Sequence, residues 1–410
     1  MFHLERHTLG RLGLAITLIT LIAPALANAG QNQQPDALSQ QPDALSAGAA
    51  ISHGPSHIGP SQIGPGRVLS SAPLPSALWL PSTGRAYRVT YLSTGHFGLP
   101  VIVSGAIFIP EGPTPAGGWP VVSWAHGTVG VADVCAPSTA GRSARDIPYL
   151  TAWLQAGYAI VATDYRGLGT VGRHPYLDGL SEARDVIDMV RAARRVDHAL
   201  SKTWFAVGQS QGAQAALFVA SIEAKYAPEL DFRGAIATAP PTQWRMTVTE
   251  TDAVNPALPA NPLTIDILAG MEAAHFFTFN ASEYLTDAGR GIYKAALNSE
   301  CVPATAARVA NLVNGDVYEI DDEKAERLIE LLELEDIPIK AYDRPVYIAQ
   351  GTADRVVYAP ATEMTAAQLQ AAGTDVTFVY YPGADHNSLM AAALADVLAW
   401  ASEQRDKSPN

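Results

Sequence analysis

The chain has 410 residues, 48% of them hydrophobic and 16% charged, with a formal net charge of −13. That is enough apolar material to bury a large core and too much for a disordered protein. An acidic balance without any cluster of Lys and Arg excludes a nucleic-acid partner, because neutralising phosphates needs a basic face, and it disfavours anionic substrates.

In chain order, Arg6 and Arg11 precede an apolar stretch over residues 12–27 that is broken by Pro24 and ends in small-x-small sites at Ala25-Leu26-Ala27 and Ala27-Asn28-Ala29. This predicts a signal peptide over residues 1–29, because the run is shorter than the ~20 apolar residues a membrane span needs. The mature protein is therefore expected to be secreted or periplasmic. Residues 30–75 repeat themselves, Gln33-Gln34-Pro35-Asp36-Ala37-Leu38-Ser39 recurring over 40–46, and carry too little apolar surface to offset ordering entropy. They are expected to form a flexible leader, with His53 and His57 as bystanders, since no thiol or carboxylate accompanies them as a metal ligand.

Residues 86–92 and 101–109 alternate apolar with polar or small residues and predict an antiparallel edge. Residues 119–125 and 158–162 are near-continuous apolar runs and predict strands buried on both faces of a parallel sheet. Residues 181–196 repeat Ala183, Val186, Ile187, Val190 and Ala193 at helical spacing. Further strands are expected over 204–207, 232–239, 346–350 and 376–381, and helices over 360–372 and 388–401. Strands alternating with helices imply a parallel sheet with helices on both sides. Residues 241–340 hold no convincing strand and are too long for a loop, so they are expected to be an inserted helical cap, clearest over 321–336. Residues 76–240 and 341–410 then make up the core.

Gly208-Gln209-Ser210-Gln211-Gly212 lies between the run Trp204-Phe205-Ala206-Val207 and the helix-forming Ala213-Gln214-Ala215-Ala216-Leu217. A serine on such a sharp turn presents its hydroxyl clear of the backbone, and glycines such as Gly208 and Gly212 make room for the turn. Ser210 needs a base, and the base needs a carboxylate, in the chain order serine, acid, histidine. Only His275 and His386 follow Ser210, and His275 falls inside the cap, so His386 is the expected base. Asp354, just beyond the strand at 346–350, is the expected acid. Its rival Asp385 is adjacent to the base and would point away from the ring. The oxyanion that ester attack creates needs two N–H donors, expected from Gln211 and from Thr128 in His126-Gly127-Thr128-Val129-Gly130, with the Thr128 hydroxyl as a further contact. His126 is expected to fix that loop. In an exported chain, Cys135 and Cys301 are expected to pair as a disulfide; they cannot make a metal site, and none is expected.

Ala125-His126-Gly127-Thr128, Asp164-Tyr165-Arg166-Gly167-Leu168-Gly169, Gly208-Gln209-Ser210-Gln211-Gly212, Gly351-Thr352-Ala353-Asp354 and Asp385-His386 together resemble the secretory lipase family of α/β-hydrolases. The resemblance spans about residues 80–400 and leaves out the leader. It implies an α/β-hydrolase fold, a Ser-Asp-His triad, no cofactor, a helical lid over the acyl pocket and action on carboxylic esters. The expected partners are a small-molecule or lipid ester and, transiently, a lipid interface, with no obligate protein partner. Two further readings share the triad: an acyltransferase with an alcohol acceptor, and an esterase of aromatic or polyester substrates. A Cys135–Cys301 bridge would tie lid to core.

Overall fold

The near-continuous apolar runs become the middle of a nine-stranded sheet. In the computed structural model, which describes residues 64–407, the strands lie in the order β1-β2-β3-β5-β4-β6-β7-β8-β9. The first three, β1 (Val68–Pro73), β2 (Thr83–Thr94) and β3 (Pro100–Pro110), are antiparallel, and β3 pairs antiparallel with β5 (Ala159–Thr163). From there β4 (Trp119–Ala125), β6 (Leu200–Gln209), β7 (Asp231–Thr238), β8 (Val346–Gly351) and β9 (Val376–Tyr381) continue the sheet in parallel. Every residue of β5 and β8 is buried, as strands covered on both faces require. This is the α/β-hydrolase architecture expected from the sequence, a mostly parallel sheet flanked by helices.

Alternation along the strands sends side chains to two different cores. Val121, Trp204 and Ala206 pack on one face with α3 (Gly179–Val196) and α4 (Gln211–Tyr226). Val122, Trp124, Phe205 and Val207 pack on the other with α2 (Asp146–Gln155) and the C-terminal helix α12 (Leu389–Asp406). The short α1 (Pro137–Ala140) precedes α2, and α11 (Ala359–Ala371) connects β8 to β9. Capping sets where α3 begins: the Asp178 side chain accepts from Ser181 N at 3.0 Å, a contact worth ~1 kcal/mol. Gly373, at φ 98°, ends α11 with the left-handed turn that only glycine adopts freely.

Between β7 and β8 the chain forms α5 (Trp244–Glu250), α6 (Pro262–Ala274), α7 (Asp287–Asn298), α8 (Val302–Val309), α9 (Asn314–Val317) and α10 (Asp322–Glu333). Two isolated bridges, Pro259 with Val313 and Leu285 with Tyr318, are the only β pairing there. These helices share an apolar cluster, including Ile265, Leu268, Met271, Ile292, Leu328 and Leu332, which also takes in Val131, Tyr176 and Leu177 from outside the segment. Helix α10 stops three residues short of the expected 336, and Glu335 turns inward to accept from Gly179 N.

The leader expected through residue 75 needs correcting. Residues 68–73 form β1 and pair with β2 through the backbone, an edge strand whose side chains are almost all exposed and so give no apolar signal. The expected signal peptide over 1–29, the leader up to residue 63, and His53 and His57 lie outside the described residues. Among the described residues, no helix is long and apolar enough to cross a membrane.

Candidate active site

Strand β6 ends at Gln209, α4 begins at Gln211, and Ser210 joins them at φ 57° and ψ −122°. Such a conformation costs a non-glycine residue about 1–3 kcal/mol and persists only where its surroundings impose it. Here they do. Ser210 N donates to Thr238 O at 2.9 Å on the neighbouring strand. A Cβ on Gly208 would overlap the Gly212 carbonyl, and one on Gly212 would overlap the carbonyl of Ala125 in β4. Both flanking glycines are therefore required by close approach of backbone to backbone.

His386 stands in the turn between β9 and α12, and Asp354 lies just beyond β8. Their side chains meet, His386 Nδ1 lying 2.8 Å from Asp354 Oδ2. The other carboxylate oxygen accepts from Val356 N and Val357 N at 2.8 and 3.0 Å, which fixes the acid in a fully buried position. A carboxylate only accepts, so the ring hydrogen sits on Nδ1 and Nε2 is left as acceptor. Asp385 faces elsewhere: its Oδ1 accepts from Asn387 N, Ser388 N and Ser388 Oγ and closes the turn.

Gln209, which the sequence does not single out, lies against the imidazole. Its carboxamide Nε2 is 2.9 Å from His386 Nε2, while its Oε1 is buried without a partner beside Gly127. The structure thus brings His386 onto the residue next to Ser210, and no hydrogen bond joins Ser210 Oγ to the imidazole among the described residues. A nucleophile–base bond that forms only once substrate is bound is common in ligand-free sites.

Gln211 and Thr128 flank the same turn. Gln211 is the first residue of α4, so its N–H has no helical acceptor, and Thr128 follows the end of β4. Neither N–H has a backbone acceptor among the described residues. Both side chains are held by one segment after β5. Gln211 Nε2 donates to His174 Nε2 at 2.9 Å and to Glu182 Oε1 at 2.7 Å, and Thr128 Oγ1 lies 2.7 Å from Tyr176 OH. Burial pushes the His174 imidazole down to about 3, so it stays neutral and can accept from Gln211 while donating from Nδ1 to Arg166 O. Burial likewise raises the Glu182 carboxyl well above its ordinary range.

His126 fixes its loop, Nδ1 donating to Gly127 O at 2.8 Å. Asp164 has a structural setting, its carboxylate accepting from Ser104 Oγ, Ser138 N and Ser138 Oγ. His275 ends α6, its ring 5.7 Å from that of His96. Cys135 and Cys301 are bridged, and beside them Val302 N donates to Val129 O at 3.0 Å.

A model of the family described as Secretory lipase matches residues 138–410. Lipase A of Moesziomyces aphidis is 26% identical over 207 residues, covering 48% of this chain and 43% of that protein, so this chain spans less than half of its length. A protein of Mycobacterium tuberculosis named a probable inactive lipase is 23% identical over 343 residues, 79% of this chain and 74% of that one. Among solved structures, the rice cell wall degrading esterase LipA from Xanthomonas oryzae superposes with a TM-score of 0.68 at 21% identity, over 83% of this chain and 98% of that one. Candida antarctica lipase A in its closed state does so with a TM-score of 0.67 at 20% identity, over 84% of each chain. At such identities the likeness is one of fold.

Proposed function

The chain belongs to the secretory lipase family, and from that premise we propose that it is a carboxylic ester hydrolase that works through a triad of Ser210, His386 and Asp354 and a covalent acyl-enzyme. One observation carries the reading. An imidazole bonded to a buried carboxylate at 2.8 Å reaches the residue preceding a serine held at φ 57°.

As substrate enters, His386 Nε2 exchanges Gln209 for Ser210 Oγ and takes its proton while the oxygen attacks the ester carbonyl carbon. The negative charge that develops on the carbonyl oxygen is held by the N–H groups of Gln211 and Thr128, and the Asp354 carboxylate stabilises the imidazolium. The imidazolium then gives its proton to the departing alkoxide oxygen, which leaves as the alcohol. Water, deprotonated by the same imidazole, attacks the acyl-enzyme carbonyl, and as the Ser210 Oγ–acyl bond breaks the imidazolium returns that proton to Oγ, which releases the acid and restores Ser210 and His386. The protein is exported by its N-terminal segment. Its substrates are lipid or smaller acyl esters, and the exposed Phe97, Leu99, Phe276 and Phe277 provide an apolar edge for contact with a lipid interface.

Ser210→Ala is expected to lower hydrolysis of a chromogenic acyl ester by at least about 10³-fold. Retention of more than a small fraction of the rate would remove the triad. A substrate series from acetate through long-chain triglyceride to aromatic and polyester substrates then fixes the ester class.

A further inference from the structure

Both residues assigned to the oxyanion are gripped by side chains only two positions apart. His174 accepts from the Gln211 carboxamide at 2.9 Å, and Tyr176 OH lies 2.7 Å from the Thr128 hydroxyl. The intervening chain is itself constrained. Leu177, which follows, takes a φ of 69° that few non-glycine residues adopt, and its N–H donates to Glu182 Oε1 at 3.0 Å. The same Glu182 oxygen receives Gln211 Nε2, so the segment, α3 and the start of α4 share one buried polar junction. Two hydrogen bonds converging on one buried carboxyl oxygen tie these elements to one another.

The direction of the Tyr176–Thr128 bond follows from elimination. Tyr176 is buried, its phenol makes no other hydrogen bond among the described residues, and burial raises its pKa far above the working range. It therefore keeps its proton, and the acceptor within reach is Thr128 Oγ1. Thr128, which is only half-buried, then has its own O–H free. A hydroxyl that accepts one hydrogen bond becomes a better donor of another.

Helix α6 touches this segment from the other side. Gly270 lies so close to Tyr176 that a Cβ there would overlap the Tyr176 carbonyl, and Tyr176 and Leu177 belong to the same apolar cluster as Ile265, Leu268 and Met271 of α6. The backbone of residue 176 is thus the bearing surface between the helical insertion and the oxyanion loop.

We propose that His174 and Tyr176 are positioning residues for the two oxyanion donors, that Tyr176 polarises the Thr128 hydroxyl toward the developing oxyanion, and that α6, seated on Tyr176 through Gly270, couples the placement of the helical segment to the catalytic geometry. The inference rests on the assignment of Ser210, Gln211 and Thr128 above.

The test is kinetic. Tyr176→Phe keeps the ring and removes the hydroxyl. It is expected to lower kcat on a soluble chromogenic ester about 5- to 10-fold with KM within about twofold, and to weaken binding of an alkyl trifluoromethyl ketone, which adds Ser210 to form an oxyanion, by the same factor. Thr128→Val reads the bond from its other end, also where Tyr176→Phe folds poorly, and the double variant is expected to lose no more than Thr128→Val alone. Gly270→Ala is expected to lower kcat in the same direction. Unchanged ketone affinity in Tyr176→Phe, or losses that multiply in the double variant, would overturn the proposal. Phosphonylation of Ser210 by an alkyl phosphonate, followed by intact mass, separates the two levels. A wild-type serine that does not react removes the reading of the site together with this proposal, whereas a reactive wild type with an unimpaired Tyr176→Phe removes the proposal alone.

Discussion

Asp354 and Asp385 both lie close in the chain or in space to His386, and their surroundings assign them different work. Asp354 has one oxygen on the imidazole and the other on two backbone N–H groups, so it orients the ring and meets the positive charge the ring acquires. Asp385 spends its carboxylate on the turn, and hydrogen bonds from Ser388 and Asn387 hold its carboxyl below the usual range. Asp354→Asn replaces an acceptor with a group that offers an N–H or a weaker carbonyl to Nδ1, which disfavours the tautomer that leaves Nε2 free. It is expected to lower kcat by about 10³- to 10⁴-fold with the fold retained, whereas Asp385→Asn should keep kcat within about threefold. Steady-state kinetics on the two purified variants with circular dichroism as the folding control decides the assignment, and the reverse ranking would make Asp385 the acid. The elbow is readable in the sequence because close packing dictates residue type: Gly208 and Gly212 each face a backbone carbonyl that a Cβ would overlap. Gln209, His174 and Tyr176 are not readable, because each makes its contact with a residue between 37 and 177 positions away, and a carboxamide or phenol at those positions follows no spacing rule.

Among the elements, the buried parallel strands could be read because burial on both faces demands unbroken apolar runs, as in β5 and β8. Strand β1 could not, since an exposed edge strand contributes backbone hydrogen bonds and its Ser-Ser-Ala-Pro sequence matches the low-complexity leader before it. The helical insertion shows in the sequence as a length without strands, but the way α6 bears on Tyr176 is a contact between surfaces and has no local signature. The Cys135–Cys301 bridge joins the loop after β4 to the start of α8 across 166 residues of sequence. Closing so long a loop removes much of the unfolded chain's freedom, and loss of the bridge is expected to cost about 3 kcal/mol, or roughly 4 °C in Tm. Thermal unfolding of the wild type with and without reductant, beside Cys135→Ser, measures it. An unchanged Tm in both comparisons would mean that the backbone bond from Val302 N to Val129 O and the apolar contacts around Val131 suffice to hold α8 on the loop.

Taken as a whole, the molecule buries carboxyl groups in numbers that give its stability a pH dependence. Burial pushes Asp185 and Asp266 up to about 7, and burial with the charge of Asp178 pushes Glu335 up to about 8. Each is protonated in the folded chain at a pH where the unfolded chain has released the proton. Their contribution is therefore complete below about pH 4 and is lost as pH rises through 7 to 8. His174 acts in the opposite sense: held neutral down to about 3, it favours the fold above its unfolded pKa of ~6.5 and costs stability as pH falls below that value. One imidazole is set against several carboxyls, so between about pH 4 and 8 the carboxyls dominate and Tm should decline as pH rises, with self-repulsion in a chain of net charge −13 adding to the loss. Asp266 isolates the effect, because its shift comes from burial alone and its Oδ2 has no partner. Ionising it in the folded chain at pH 8, where burial has pushed it up to about 7, costs up to ~4 kcal/mol, which Asp266→Asn removes while keeping the side chain's shape. At pH 8 that variant is expected to melt roughly 5 °C above the wild type and at pH 5 within about 2 °C of it. Calorimetric scans at the two pH values distinguish this from a general packing effect, since a variant that shifts Tm equally at both would show that the carboxyl at 266 does not titrate with folding.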